Sequence, residues 1–199
     1  MDPNLVIKRR VFSLDEGVFQ MRKKTKVFTT QTLAVVGLLM AMDVIMTRFF
    51  GIQTPITRVT FGFLPSAIIG ALYGPWVAGI AGMLTDLLGI FLFNRGGTFF
   101  IGFTLSAFLG SAIYGLFLHR KNIELKHVIG AVVSITIFVN LILNTAWIVI
   151  MYEEAWRAII PLRVAQNLFV APIRVLLIYT VLKQPALQRL YKRYSTAKK

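Results

Sequence analysis

Asp86 and Arg174 are ionisable side chains inside runs that are otherwise apolar. A charged group in such a run is expensive and faces a cavity or a partner. Asp86 lies seven residues from the end of its run, roughly 10 Å along a helix. Arg174 lies thirteen residues beyond Pro161, roughly 20 Å by the same rise. An arginine side chain bridges that difference in depth, so the two form either a structural ion pair or a pair turned toward a ligand. Asn140 and Asn144 are four apart and share a helix face, and Trp147 continues the stripe. Gln166, Asn167 and Arg174 make a second polar stripe. Hydrogen bonding between helices accounts for either stripe alone. Two stripes plus a buried acid fit a wet pocket better.

A second group of residues sits in the connecting segments. Arg48, Arg58, Arg95, Arg157 and Arg163 fall on one side of the chain's apolar runs, and Glu153, Glu154 and Trp156 lie in the last of these segments. Guanidinium groups bind carboxylates in bidentate fashion, so five of them imply an anionic ligand approaching from that side. The stretch from Arg48 to Pro65 leaves one apolar run, carries two arginines among aromatics and prolines, and enters the next. The segment from Asn94 to Phe103 adds Gly96, Gly97 and Gly102, whose backbones reach shapes closed to other residues, and Phe99 and Phe100, which can cover a ligand.

The elements that must position these groups follow from composition. The chain has 199 residues, 56% hydrophobic and 15% charged, with a mean hydropathy of +0.70. Six apolar runs are near bilayer-crossing length: Val27–Thr47, Phe61–Tyr73, Trp76–Phe93, Phe103–Leu118, Val128–Met151 and Pro161–Leu182. The expectation is an all-α membrane protein of six transmembrane helices: a basic tail at 1–26, a six-helix domain at 27–182 and a basic, helix-patterned tail at 183–199. The second run is short for a bilayer core. Gly74-Pro75-Trp76 makes a tight turn after it, and Pro161 opens the sixth helix, where its missing N–H is harmless. Gly70, Gly74, Ala78 and Gly82 repeat a spacing of small residues that predicts a closely packed hairpin. Gly37 and Ala41, four apart, leave a flat strip on the first span for internal packing or for another subunit.

A net charge of +14 suggests nucleic acid in a soluble protein. Here the positions matter more than the sum. Sixteen Lys/Arg lie before the first run, between Leu118 and Val128, or after Leu182. Those stretches share one side of a six-span bundle, so both termini are cytoplasmic and the tails face lipid headgroups rather than nucleic acid. There is no cysteine, which excludes disulfides and thiolate chemistry. HExxH, GxSxG and GxxxxGK[ST] are all missing, so neither metalloprotease, serine hydrolase nor ATPase chemistry is expected, and no cofactor or metal. His119 and His127 read as basic-loop residues.

Three stretches together resemble a known family: RFFGIQTPITRVTFGFLP from Arg48 to Pro65, ALYGPWVAGIAGMLTDLLGIFLF from Ala71 to Phe93, and GGTFFIGFTLSA from Gly96 to Ala107. They are similar to the substrate-binding S component of energy-coupling factor (ECF) vitamin transporters, nearest to the folate-specific (FolT) branch, over roughly residues 30–185. The resemblance implies a bacterial plasma-membrane protein of six helices with its pocket near the outer face. It implies partners: a transmembrane coupling subunit (EcfT) and two ATPase subunits (EcfA and its homologue). It also implies import by toppling, and docking of the coupling subunit on a small-residue strip, which Gly37 and Ala41 match with glycine in place of the first alanine. For folate, Asp86 would accept the pterin N3–H and 2-amino group, with Asn140, Asn144 and Arg174 on the remaining polar edge and Asn167 beside them. Phe61, Phe63, Phe99, Phe100 and Trp147 would stack on the rings. Arg48, Arg58 and Arg95 would hold the glutamate tail, and the loops around Arg58 and Gly97 would close as a lid. The rivals are the same machinery with riboflavin, thiamine, pantothenate or a hydroxymethylpyrimidine, a membrane scaffold without ligand, and a membrane enzyme. A cationic ligand such as thiamine predicts acids at the mouth, against the five arginines.

Overall fold

A computed structural model describes residues 29–53, 58–93, 100–121, 123–151 and 156–196. The chain divides into two units at Val35–Val36. In the first, Thr29 starts helix α1 (Thr30–Arg48) as an N-cap: its hydroxyl accepts a hydrogen bond from the Thr32 backbone N–H at 3.3 Å.

The second unit carries the rest of α1 and six further helices: α2 (Phe63–Tyr73), α3 (Pro75–Leu92), α4 (Ile101–Leu118), α5 (Leu125–Met151), α6 (Trp156–Leu182) and α7 (Pro185–Thr196). Between α1 and α2 the chain pairs with itself. Strands β1 (Ile52–Gln53) and β2 (Arg58–Val59) are antiparallel, Ile52 opposite Val59 and Gln53 opposite Arg58. Apart from that two-residue ladder, the described residues form an all-α membrane protein. Five of its helices are long and apolar enough to cross a bilayer: α1, α3, α4, α5 and the Ile160–Leu182 part of α6. The shorter α2 is apolar throughout and roughly 16 Å long at 1.5 Å per residue.

Leu38, Phe91, Ile101, Leu168, Phe169 and Leu176 stand exposed, as expected of a protein whose solvent is hydrocarbon. In that medium apolar burial no longer drives helix association, and close backbone packing and polar contacts take over. Glycine therefore decides where helices meet. An added Cβ at Gly70 would lie 2.7 Å from the Gly115 backbone nitrogen; one at Gly82 would lie 2.8 Å from the Ala107 carbonyl; one at Gly115 would overlap Pro75. The small residues of α2 and α3 thus pack onto α4, rather than mainly on each other as the hairpin spacing predicts. Spacing identifies a flat face but not the neighbour that uses it. Gly74 alone joins α2 to α3, with φ +92°, a left-handed value that favours glycine. Below that turn Leu118, Val128, Val132 and Ile178 close the core.

Three boundaries differ from the sequence expectation. The sixth helix begins at Trp156, so Pro161 lies inside it, with Pro172 further along. The fifth begins at Leu125, and its middle, Ile135–Leu143, is a π-helix, a wide turn that a mostly apolar run does not signal. The second is only eleven residues long, because the chain before Phe63 serves the turn out of the β ladder. Gly115→Ala forces α4 off the α2–α3 turn. The expected cost is about 1–3 kcal/mol, read as a lower melting temperature of the detergent-purified protein.

Candidate functional site

At the end of the bundle away from Gly74, α1 to α6 enclose a cavity of about 220 Å³. Two carboxylates and two guanidiniums line it: Asp43, Asp86, Arg48 and Arg174. Asp43 and Arg48 are almost wholly buried. An isolated charge at such depth costs several kcal/mol (about 2.5–3.5 for Arg or Asp at a helix centre), so neighbours must compensate, and they do. Ser66 donates to Asp43 Oδ2 at 2.7 Å, and Thr47, one turn along α1, donates to Oδ1 at 3.0 Å. Thr104 on α4 donates to Asp86 Oδ2 at 3.0 Å.

Glycines make the room. A Cβ on Gly62 would land on the Asp43 carboxylate and the Thr47 hydroxyl; one on Gly89 would lie 2.8 Å from the Arg48 guanidinium. Arg174 packs against the face of Phe63, its guanidinium carbon 5.5 Å from the ring centroid, near enough for a cation–π contact. Its Nε is buried without a hydrogen-bond partner. Asp86 thus takes a hydrogen bond from Thr104, and Arg174 stacks on Phe63.

The amides form a ladder between α5 and α6. Asn144 Nδ2 reaches Asn140 Oδ1 at 3.5 Å, Asn140 Nδ2 donates to Asn167 Oδ1 at 3.2 Å, and Asn167 Nδ2 donates to the Arg163 carbonyl at 2.9 Å. Arg163 Nη1 in turn donates to the Asn140 carbonyl at 3.3 Å, as does the Thr145 hydroxyl. These partners gather on the π segment, whose wider turn presents the Asn140 carbonyl to side chains. Asn144 Oδ1 is buried without a partner. Buried polar atoms are ordinarily satisfied, so Asn144 Oδ1 and Arg174 Nε are exceptions held within the wall of the cavity rather than on its surface.

The structure brings Arg48, Phe63, Asp86, Asn140, Asn144 and Arg174 to the cavity wall. Of the other candidates, none that is described lines it. Asn167 stands behind Asn140. Phe61 is exposed, 6.3 Å centroid to centroid from Phe63. Phe100 and Trp147 pack on each other at 5.6 Å, with Trp147 Nε1 donating to Ser106 at 3.1 Å. Arg163, read as a rim residue, is buried inside α6, because that helix starts earlier than Pro161 suggests. Arg95, Gly97, Phe99 and the side chains of Arg58 and Arg157 lie outside what the structure describes. Gly37 and Ala41 are exposed, and a Cβ added at Gly37 meets nothing within 4 Å. Among the described residues no His/Asp/Glu cluster suits a metal ion.

The chain matches the family described as ECF transporter, substrate-specific component, over residues 31–182. It belongs to that family. Among its relatives is the folate transporter FolT of Clostridium novyi (strain NT), 42% identical over 141 residues, which are 71% of this chain and 81% of the relative. Another is the folate transporter FolT of Leuconostoc mesenteroides subsp. mesenteroides, 30% identical over 171 residues, 82% and 91% of the two chains. A crystal structure of FolT bound with folic acid is 36% identical and superimposes with a TM-score of 0.71, covering 76% of this chain and 91% of that one.

For this S component, the sequence reading overlooked Asp43. The signal was there: an acid inside the first apolar run, four residues before Thr47, is the same sign that singled out Asp86. Ser66, Thr85 and Ser111, which also line the cavity, carry no such signal, since Ser and Thr hydroxyls in apolar helices commonly bond their own backbone, as Thr85 does to the Ala81 carbonyl at 2.8 Å; Tyr114, also on the wall, reads as one more aromatic of an apolar run. Two identical substitutions should part ways. Gly89→Ala pushes on Arg48 and is expected to cost about 1–3 kcal/mol. Gly37→Ala, in open space, is expected to be neutral or to gain up to about 1 kcal/mol from helix propensity. Melting temperatures of the two purified variants check the pair.

Proposed function

We propose that this S component binds folate at the outer face of a bacterial plasma membrane and releases it inward by toppling, driven by a coupling subunit and two ATPase subunits. The observation that carries the reading is the cavity lined by two acids and two arginines inside an apolar bundle. The named relatives, each a folate transporter, support the same ligand.

The proposed topology has six spans, α2 being the sixth and shortest, with both termini inside. The basic stretches then share the cytoplasmic side and the β1–β2 connection lies outside, above the cavity. A pteridine presents an N3–H and a 2-amino group side by side, and Asp86 or Asp43 accepts both. Asn140, Asn144 and Arg174 serve the remaining polar edge, and Phe63 offers a stacking face. The cavity is smaller than a whole folate molecule, so the aminobenzoyl-glutamate part extends toward the mouth. There Arg58 and Arg95 take its carboxylates, with Arg48 between head and tail. Phe61, Phe99, Phe100 and Trp147 bound that outer path, and the loops carrying Arg58 and Gly97 close over it. Asn167 positions Asn140. The strip at Gly37 and Ala41 receives the coupling subunit, and ATP is hydrolysed by the partners.

Calorimetry on the detergent-purified protein is expected to show one folate per chain, with riboflavin and thiamine as controls. Retention of a control vitamin instead of folate overturns the substrate and leaves the fold standing. Asp86→Asn loses charge-assisted hydrogen bonds to the pterin, a loss of about 1.5–3 kcal/mol or roughly ten- to hundredfold in affinity. Arg58→Ala, at the rim, is expected to lose less. Gly37→Leu is expected to leave folate binding unchanged and to abolish uptake in cells. Normal assembly and uptake would remove the docking role.

A further inference from the structure

The end of the bundle opposite the cavity carries a second feature that ligand capture does not use. α7 begins two residues after α6 ends, and it does not trail away from the bundle. Leu187 and Tyr191, four apart, pack on the core cluster around Leu118 and Leu182. The Tyr191 hydroxyl donates to the Lys121 carbonyl at 2.7 Å, with the Leu118 carbonyl at 3.3 Å. That bond ties α7 to the α4–α5 loop, so two basic segments distant in sequence share one surface.

The charge there is one-sided. The loop contributes Arg120 and Lys121, the first turn of α5 Lys126, the α6–α7 link Lys183 and α7 Arg189, all exposed. Residues 183–199 hold six Lys/Arg and no acid. In the loop Glu124 pairs with Lys126 at 2.6 Å. That lysine holds the Glu124 carboxyl below the usual carboxylate range, so the pair cancels itself and leaves Arg120, Lys121, Lys183 and Arg189 as the surplus.

Depth decides what those cations meet. Lys121 lies over the Phe117 ring at 5.7 Å, and Lys183 over the Tyr179 ring at 4.9 Å while donating to its hydroxyl at 2.9 Å. Phe117 and Tyr179 belong to the last turns of two membrane helices, so both ammonium groups lie back along the ends of the spans. Trp76, exposed at the start of α3, joins the same end. Aromatics and lysines at the ends of spans mark the interfacial layer. An amphipathic basic helix held against that end by Leu187 and Tyr191 suits the headgroup layer.

We propose that Lys121, Lys183 and Arg189, held together by the Tyr191 bond, bind the phosphate groups of anionic phospholipids in the leaflet at this end. Charge complementarity favours a phosphodiester surface, and the position at the ends of the spans puts the cations where such phosphates are. An acidic protein surface is the competing occupant.

The test uses the full-length protein, purified and delipidated in a neutral detergent. It is offered equal phosphatidylglycerol and phosphatidylcholine and read by native mass spectrometry. Phosphatidylglycerol is expected to be retained preferentially, and the preference to shrink as salt rises. The triple variant Lys121→Gln, Lys183→Gln, Arg189→Gln is expected to lose about fivefold of that preference per charge, equivalent to about 1 kcal/mol each. Tyr191→Phe keeps every charge but frees α7, and is expected to lose part of it. A variant that fails to fold is recognised by its melting curve, and the salt dependence of the unaltered protein then decides. Equal retention of the two lipids, or an unchanged preference in a folded triple variant, overturns the proposal. So does loss of assembly with an ECF coupling module at unchanged lipid preference, which would assign the surface to a protein.

Discussion

Keeping charge inside hydrocarbon is the constraint on which this structure depends. Asp43, Asp86, Arg48 and Arg174 line one cavity in a bundle whose outer faces are apolar. Each is costly by itself. Two of each sign around a small polar space limit the cost, provided that hydroxyls and amides complete the hydrogen bonding. Ser66, Thr47 and Thr104 do this for the acids. Gly62 and Gly89 lack the Cβ that would fill the space the acid and the guanidinium occupy. The glycines of the helices thus have two distinct purposes. Gly70, Gly82 and Gly115 let backbones approach, and Gly62 and Gly89 let polar side chains in.

The same constraint explains why the two ends of the bundle differ. Around the Gly74 turn the core is apolar and close-packed, with Leu118, Val128 and Ile178 scarcely exposed. Toward the other end, the π segment of α5 widens the helix and gathers partners for Asn140. A rigid apolar end and a polar, hydrogen-bonded end suit a protein that must hold a polar guest without unfolding its frame.

Much of this was legible in the sequence because the medium makes polar residues conspicuous. Asp86, Arg174, Asn140 and Asn144 stand out in apolar runs, and each reaches the cavity. Asp43 was equally conspicuous but lay in the run read as a docking face, so its depth went unused. Other features leave little trace. The π-helix replaces one apolar period by another within Ile135–Leu143, where every residue but Thr136 and Asn140 is apolar and no contrast marks the turn length. Arg163 looked like a rim cation because proline commonly opens a helix, yet α6 tolerates Pro161 within its second turn. The partner of each small residue could not be read, since spacing along one helix carries no information about the facing one.

The account stands or falls on what occupies the cavity. A structure of the purified protein solved with folate is the most direct measurement. The account predicts pteridine density between Phe63 and the π segment of α5, its N3–H and 2-amino group within hydrogen-bond distance of the Asp86 or Asp43 carboxylate, and the glutamate directed toward the β1–β2 end. Density showing the four charged side chains closed on one another with folate bound elsewhere, or no folate at saturating concentration, would contradict it.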